Sequence, residues 1–252
     1  MNHHDDALSR AFDGQAARFE VAPVQSDPLA LARLVEFADL PPGSTILDAG
    51  CGPGLVAEAF LSAGHRVHGL DLSPEMIARA EKRCARFGER AFFANVSLYE
   101  HHPDVLYDAA VSRYVLHHVA DPLAFVRHQI SLLRTGGILV LSDHSTDPDP
   151  DIAARHERLE RGRDLTHTRN LTSGAIVDLL AAAGLSTIRL AEEVFQLDFD
   201  EWFDRGTPAV SKAELREHML SWPHVRGFHA VGLPDDSVRI DCVRALVRGV
   251  KP

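Results

Sequence analysis

The stretch that decides the fold is Ser44-Thr45-Ile46-Leu47-Asp48-Ala49-Gly50-Cys51-Gly52-Pro53-Gly54, followed directly by LVAEAFLSAG at 55–64. The apolar run into Asp48 predicts a short buried strand, the three glycines a tight turn, and 55–63 a helix stopped at Gly64. A glycine-rich turn between a strand and a helix is the frame of a nucleotide-binding loop. Glycine lets the chain turn sharply and lets a ligand approach without a Cβ in the way.

Outward from that turn the pattern repeats. HRVHGLDLS (65–73) predicts a second strand ending at Asp71, 23 residues beyond Asp48. An acidic side chain there is placed to accept hydrogen bonds from both ribose hydroxyls of a nucleotide. Ser73 and Pro74 then form an N-cap and first helical residue for SPEMIARAEKRCARFG. RAFFANV and YDAAVSRYVLHHV predict strands three and four. A helix starting near Asp121-Pro122 runs to Thr135-Gly136-Gly137, and GILVLSDHS predicts strand five. Strands alternating with helices of this length imply βαβ units and a parallel sheet. Before the turn, residues 8–38 read as helical. After strand five, 147–170 are polar, TSGAIVDLLAAAGL is a helix capped at Thr172 or Ser173, and STIRLAEEVFQLDF and VRIDCVRALVRGV are two more strands. The expected fold is α/β: a doubly wound, mostly parallel, seven-stranded Rossmann-like sheet with helical N-terminal and lid segments. All 252 residues form one domain, divided as an N-terminal helical segment (1–40), a nucleotide-binding core (41–145), sheet completion with lid helices (146–230) and a C-terminal strand (231–252).

Composition narrows the class. At 45% hydrophobic and 25% charged residues the chain has the make-up of a globular protein able to bury a full core. Three cysteines, an odd number with no CxxC pair, argue against a disulfide scaffold and against a zinc site. The start, MNHHDDALSR, lacks a basic, apolar leader, and no run of 18 apolar residues occurs, so a cytoplasmic protein without membrane contact is expected. A net charge of −10 disfavours a nucleic-acid partner, whose phosphates attract basic faces. Two details separate the turn from an NAD site. Asp48 precedes the first glycine, where a carboxylate recognises a cationic or amino-acid group, and Pro53 removes a donor that a pyrophosphate would use.

These residues resemble class I S-adenosylmethionine (SAM)-dependent methyltransferases. LDAGCGPG (47–54) is similar to the first motif of that family, VHGLDLSPEM (67–76) to the second, YDAAVSRYVLHHVADP (107–122) to the segment around strand four, and LLRTGGILVLSD (132–143) to the last core motif. Phe12 to Phe19 and RDLTHTRNLTSGAIVDLLAAAGL (163–185) resemble the small-molecule branch, the ubiquinone-biosynthesis and YcgJ-like methyltransferases of type 11. The resemblance covers most of 12–190. It implies SAM as cofactor, S-adenosylhomocysteine as product, and a small-molecule acceptor methylated on O, N or C. It places Phe19, Asp48, Gly50, Gly52, Gly54, Asp71, Leu72, Met76, Asn95, Val96 and Arg113 around the cofactor. Asp71 is the ribose acid and Met76 lies beside the adenine; Arg113 either lines the site through its backbone or pairs its side chain with a nearby acid. The chain departs from the family pattern at three places. Asn95 stands where Asp often meets the adenine amino group, SLYEHHPD replaces a usual Leu-Pro-Phe, and Phe19 stands where Tyr is common.

Methyl transfer needs alignment and water exclusion more than proton chemistry, and a general base is optional. Four histidines are candidates for one: His117 and His118 at the end of strand four, His144 after strand five, and His167 in a segment that folds over the site. If strand four extends through His118, the two neighbours point to opposite faces. Histidines at such positions also cap, pack or bind water. No HxxxH or HExxH occurs, and no metal is expected. Tyr114, Trp202, Phe203 and Trp222 are aromatic residues that either shape an acceptor pocket or fill core. Alternatives to methyl transfer are a SAM-using enzyme of other chemistry such as a SAM cyclase, a non-catalytic SAM-binding module, an RNA methyltransferase and an NAD-dependent oxidoreductase.

Overall fold

The computed structural model describes residues 3–222 and 225–252. Three helices come first: α1 (His3–Val21), α2 (Pro23–Ser26) and α3 (Pro28–Ala38). The core follows as β1 (Thr45–Ala49), α4 (Leu55–Ser62), β2 (Arg66–Asp71), α5 (Pro74–Cys84), β3 (Ala91–Asn95), β4 (Tyr107–Arg113), α6 (Pro122–Ser131) and β5 (Leu133–His144). Then come α7 (Pro150–Arg163), α8 (Ser173–Ala182), β6 (Ser186–Asp198), α9 (Phe199–Asp204), α10 (Lys212–Ser221), β7 (Phe228–Gly232) and β8 (Val238–Val250). The sheet order is β3-β2-β1-β4-β5-β8-β6, with β7 pairing β8. The first five strands are parallel, and β8 inserts antiparallel between β5 and β6.

Local chemistry sets the helix starts. Proline occupies the first turn of α3, α5, α6 and α7, where its missing N–H costs nothing. Ser73, Asp121 and Thr172 accept from Met76, Ala124 and Ala175 N–H as N-caps: Ser73 as expected, Thr172 as one of the two residues offered, and Asp121 at the expected helix start. Two apolar cores lie on the two faces of the sheet. One holds Leu34, Phe60, Ile77 and Val140 under α3–α5, and the other holds Leu47, Phe125, Leu139 and Leu180 under α6 and α8.

The sequence-based count of seven strands becomes eight. The added strand is β7, five residues that lack a clear apolar alternation and are held by their hairpin with β8. The β8 strand changes character along its length. It is buried on alternate residues over 238–243, beside β7, and almost continuously over 244–249, where the main sheet covers both faces. Trp202, Phe203 and Trp222 pack in a third cluster with Leu159, Met219 and Phe228, so they are core of the lid region. The helix before strand five ends at Ser131, and Gly136 and Gly137 belong to the irregular start of β5.

Strand four also stops early. It ends at Arg113, because Tyr114 takes φ +58 and Leu116–His118 wind into one 3₁₀ turn. The expectation of an extended segment with alternating histidines is therefore corrected. The Asp143 carboxylate at the end of β5 accepts from Leu116 N–H at 2.7 Å and pairs with His117 Nδ1, which pins the turn.

Candidate active site

The glycine-rich turn sits at the carboxyl ends of β1 and β2, where open α/β sheets bind ligands. Gly50 (φ +77) is required by close packing: a Cβ there would lie 2.5 Å from a Val115 methyl group. Gly52 (φ +50) lines the cavity, and a Cβ on it would meet no protein atom within 4 Å. Its N–H donates to Asp71 Oδ2 at 2.8 Å, while Ser73 N–H donates to Asp71 Oδ1 at 2.9 Å. Burial pushes the Asp71 carboxyl above its ordinary range despite these backbone donors. Each of its oxygens keeps a further lone pair for a ligand hydroxyl.

Asp48 lies behind the turn, 1% exposed, and its Oδ2 has no hydrogen-bond partner. Burial first, and the neighbouring Asp71 second, push its pKa up to about 7. A buried carboxylate oxygen without a partner is costly, and a cationic group brought near it lowers that cost. This orphaned oxygen, the Asp71 carboxylate and the glycine cradle together fit a cofactor with a ribose and a positively charged amino-acid end.

One cavity of about 680 Å³ joins these groups to the end of β4, a size suited to small molecules. The turn, Asp71, Leu72 and Met76 line one part, and Val96, Ser97 and Leu98 extend it. Arg113, Tyr114 and His118 also line it, and Leu8, Phe12 and Phe19 of α1 contribute to its wall. Polar bonds hold α1 in place. Ser9 Oγ donates to Leu72 O at 2.8 Å, Ser73 Oγ donates to Asp13, and Glu20 pairs with Arg79 and Arg83.

Behind the His118 wall lies a buried histidine group. His117 Nδ1 is 2.5 Å from Asp143 Oδ1, and its ring centroid is 4.1 Å from that of His118, 5.4 Å from His144 and 5.7 Å from His167. Burial opposes the charged form of His117, but the charge and hydrogen bond of Asp143 outweigh it and hold its pKa above the usual value. Burial and the neighbouring His117 hold His118 well below the usual value, and the same two causes take His144 down to about 3. His118 Nδ1 contacts Thr166 O at 3.1 Å, and His167 Nε2 is 3.1 Å from Glu157. Among the described residues, no three His, Cys, Asp or Glu side chains are grouped to hold a metal ion.

Of the residues singled out in the sequence, Phe19, Gly50, Gly52, Asp71, Leu72, Met76, Val96, Arg113 and His118 line this cavity. Three of the expected cofactor residues are placed otherwise. Asp48 lies behind the wall. Gly54 (φ +81) begins α4 and packs against Ala80, where a Cβ would sit 3.0 Å away. Asn95 turns back, its Nδ2 donating to Asp71 O at 3.0 Å. His117, His144 and His167 are in the buried group, His117 with 11% of its side chain exposed. Sequence reasoning missed Asp143 as the partner of His117. The two lie 26 residues apart in the chain on different elements, and no local pattern links them.

The chain's residues 25–190 match the model of the methyltransferase domain family. The chain belongs to that family and is a class I SAM-dependent methyltransferase. It is 25% identical over 250 residues to an uncharacterized methyltransferase, YcgJ, of Bacillus subtilis, covering 95% of this chain and 97% of that relative. The crystal structure of YcgJ has the same fold, with a TM-score of 0.77 at 24% identity over 88% of this chain and 98% of that one. A ubiquinone biosynthesis O-methyltransferase of Vibrio parahaemolyticus is 30% identical over 146 residues, which is 55% of this chain but only 62% of that enzyme's length. A Burkholderia thailandensis 1,6-didemethyltoxoflavin-N1-methyltransferase, solved with bound 1,6-didemethyltoxoflavin and S-adenosylhomocysteine, shares the fold with a TM-score of 0.58 at 19% identity, over 98% of this chain and 86% of that one. No helix among the described residues is long and apolar enough to cross a membrane.

Proposed function

We propose that the chain methylates a small-molecule acceptor bound in the same cavity as the cofactor, at the end walled by α1. The observation that carries this reading is the cavity itself: one continuous space connects Asp71 and the glycine turn to Tyr114 and His118. Bound there, SAM supplies an electrophilic methyl group on a sulfonium centre. Asp71 would accept from the ribose hydroxyls, Asp48 would act by its charge from behind the glycine turn on the cationic methionine end, and Leu72, Met76 and Val96 would flank the adenine. Leu8, Phe12 and Phe19 keep water from the reacting atoms, which strengthens every charge interaction inside. His117 is the general base. Its proton affinity is raised by Asp143, and its ring lies 4.1 Å from that of His118, which lines the cavity. His118, held neutral, forms the wall against which the acceptor rests.

The acidic chain, with a net charge of −10, favours a metabolite over a nucleic acid, and three buried free cysteines fit a reducing, cytoplasmic setting. The test is incubation with methyl-labelled SAM and either a low-molecular-weight metabolite extract or total RNA. Label entering the small organic fraction, with stoichiometric S-adenosylhomocysteine, is the expected result. Label entering only RNA refutes the reading, as does release of methylthioadenosine in place of S-adenosylhomocysteine.

A further inference from the structure

Tyr114 holds a left-handed backbone, φ +58, that a residue with a side chain keeps only when its surroundings enforce it. The surroundings are charged. The Arg113 guanidinium lies 4.6 Å from the ring centroid, the His144 imidazole stacks on the ring at 4.8 Å, and Arg244 Nη1 donates to the Tyr114 hydroxyl at 2.9 Å. Both arginines are buried. Neither is matched by a carboxylate of its own. Arg113 donates to the main-chain carbonyls of Val24 and Gln25, and among the described residues no acid lies within ion-pair distance of it. Arg244 pairs with Glu193, which Arg33 also claims, and its Nη2 is buried with no acceptor.

Buried guanidiniums in excess of carboxylates are unfavourable until a negative charge arrives. The Tyr114 oxygen accepts from Arg244 and is polarised by it, so its own proton is a strengthened donor. Tyr114 and Arg113 line the same cavity as Asp71.

On the reading that the acceptor is a small molecule in this cavity, we propose that the wall formed by Tyr114 and Arg113, with Arg244 behind the Tyr114 hydroxyl, is an oxyanion subsite. Its ligands are acceptors carrying an acidic hydroxyl or carboxyl group, bound as anions, and Tyr114 is the residue that selects them by donating a hydrogen bond to that oxygen. A protonated amine is repelled by the same arginines.

The experiment uses the full chain saturated with S-adenosylhomocysteine and titrated calorimetrically with para-nitrophenol, para-nitroanisole and para-nitroaniline, at a pH where the phenol is ionised. The phenolate is expected to bind roughly tenfold or more tightly than the other two, the worth of a hydrogen bond to a charged group. Tyr114→Phe, which removes one oxygen and is checked by thermal unfolding, is expected to abolish that preference and leave S-adenosylhomocysteine affinity unchanged. Equal affinity for the three, preference for the amine, no binding of any, or a preference that survives in Tyr114→Phe overturns the subsite. The wild-type comparison stands even if the variant is unstable. Failure of S-adenosylhomocysteine itself to bind would count instead against the cofactor reading.

Discussion

Replacing Asp71 by alanine removes two things that the structure separates. The first is the pair of carboxylate lone pairs that face the cavity. Hydrogen bonds to a charged acceptor are worth about 1.5–3 kcal/mol each, and two that share one carboxylate sum to less than twice that, so a loss of about 2–3 kcal/mol is expected. At 1.4 kcal/mol per decade, the Kd for SAM rises roughly 30- to 150-fold. The second is the anchoring of Gly52 N–H at 2.8 Å and Ser73 N–H at 2.9 Å. Gly52 lines the cavity, so water replaces its lost acceptor. Burial already disfavours the Asp71 charge, which offsets part of the lost stability. The fall in Tm is therefore small, roughly 2–4 °C for about 1 kcal/mol in a chain of this size. Calorimetric titration with SAM and a thermal melt read the two effects separately. A folded variant that binds SAM within threefold of the parent refutes the assignment of Asp71 to the ribose.

Other expectations follow from the same geometry. The Asp48 pKa, near 7 in the free protein, falls when a cation arrives, so SAM affinity should rise with pH from below 7 and level off above it, with a proton released on binding. Titrations in buffers of different ionisation enthalpy measure that proton, and none at pH 6 contradicts the placement. The same raised pKa stabilises the free fold fully below the unfolded value of 3.8, and that contribution is lost as pH rises through about 7, a trend that melts of the free protein will show. Asp143→Asn lowers the proton affinity of His117, so acceptor turnover should fall on the order of 10²-fold and the acid limb of the kcat/KM profile should move to lower pH, with S-adenosylhomocysteine affinity unchanged. Gly50→Ala forces a Cβ to within 2.5 Å of Val115 at φ +77, and should cost about 2 kcal/mol, roughly 5 °C in Tm.

The parts of the molecule legible in the sequence are those built from neighbouring residues. The strand, glycine turn and helix around Gly50, the acid at the end of the next strand, and the Ser73-Pro74 helix start each depend on a few consecutive side chains, and each stands as expected. What escaped is set by contacts between distant segments. Strand four stops at Arg113 because Asp143, on another strand, captures the Leu116 N–H. The Asn95 amide donates to the Asp71 carbonyl on β2, a contact between strands that no local pattern announces. The β7 strand is too short to announce itself and exists through its pairing with β8. The histidines were visible as residues, but the distinction between His118 in the cavity wall and His117, His144 and His167 behind it rests on how α7 and the segment after it pack over the ends of β4 and β5. Gly54 shows the opposite limit: its place in the glycine-rich turn is plain in the sequence, yet its contact is with Ala80.

The most direct test is a crystal structure of the protein with S-adenosylhomocysteine. The expected result has both ribose hydroxyls on the Asp71 carboxylate, the amino-acid end beside Asp48, and the thioether sulfur facing Phe12 and His118 across the open remainder of the cavity. A ligand bound elsewhere, or one whose sulfur points away from His118, contradicts the proposed active site.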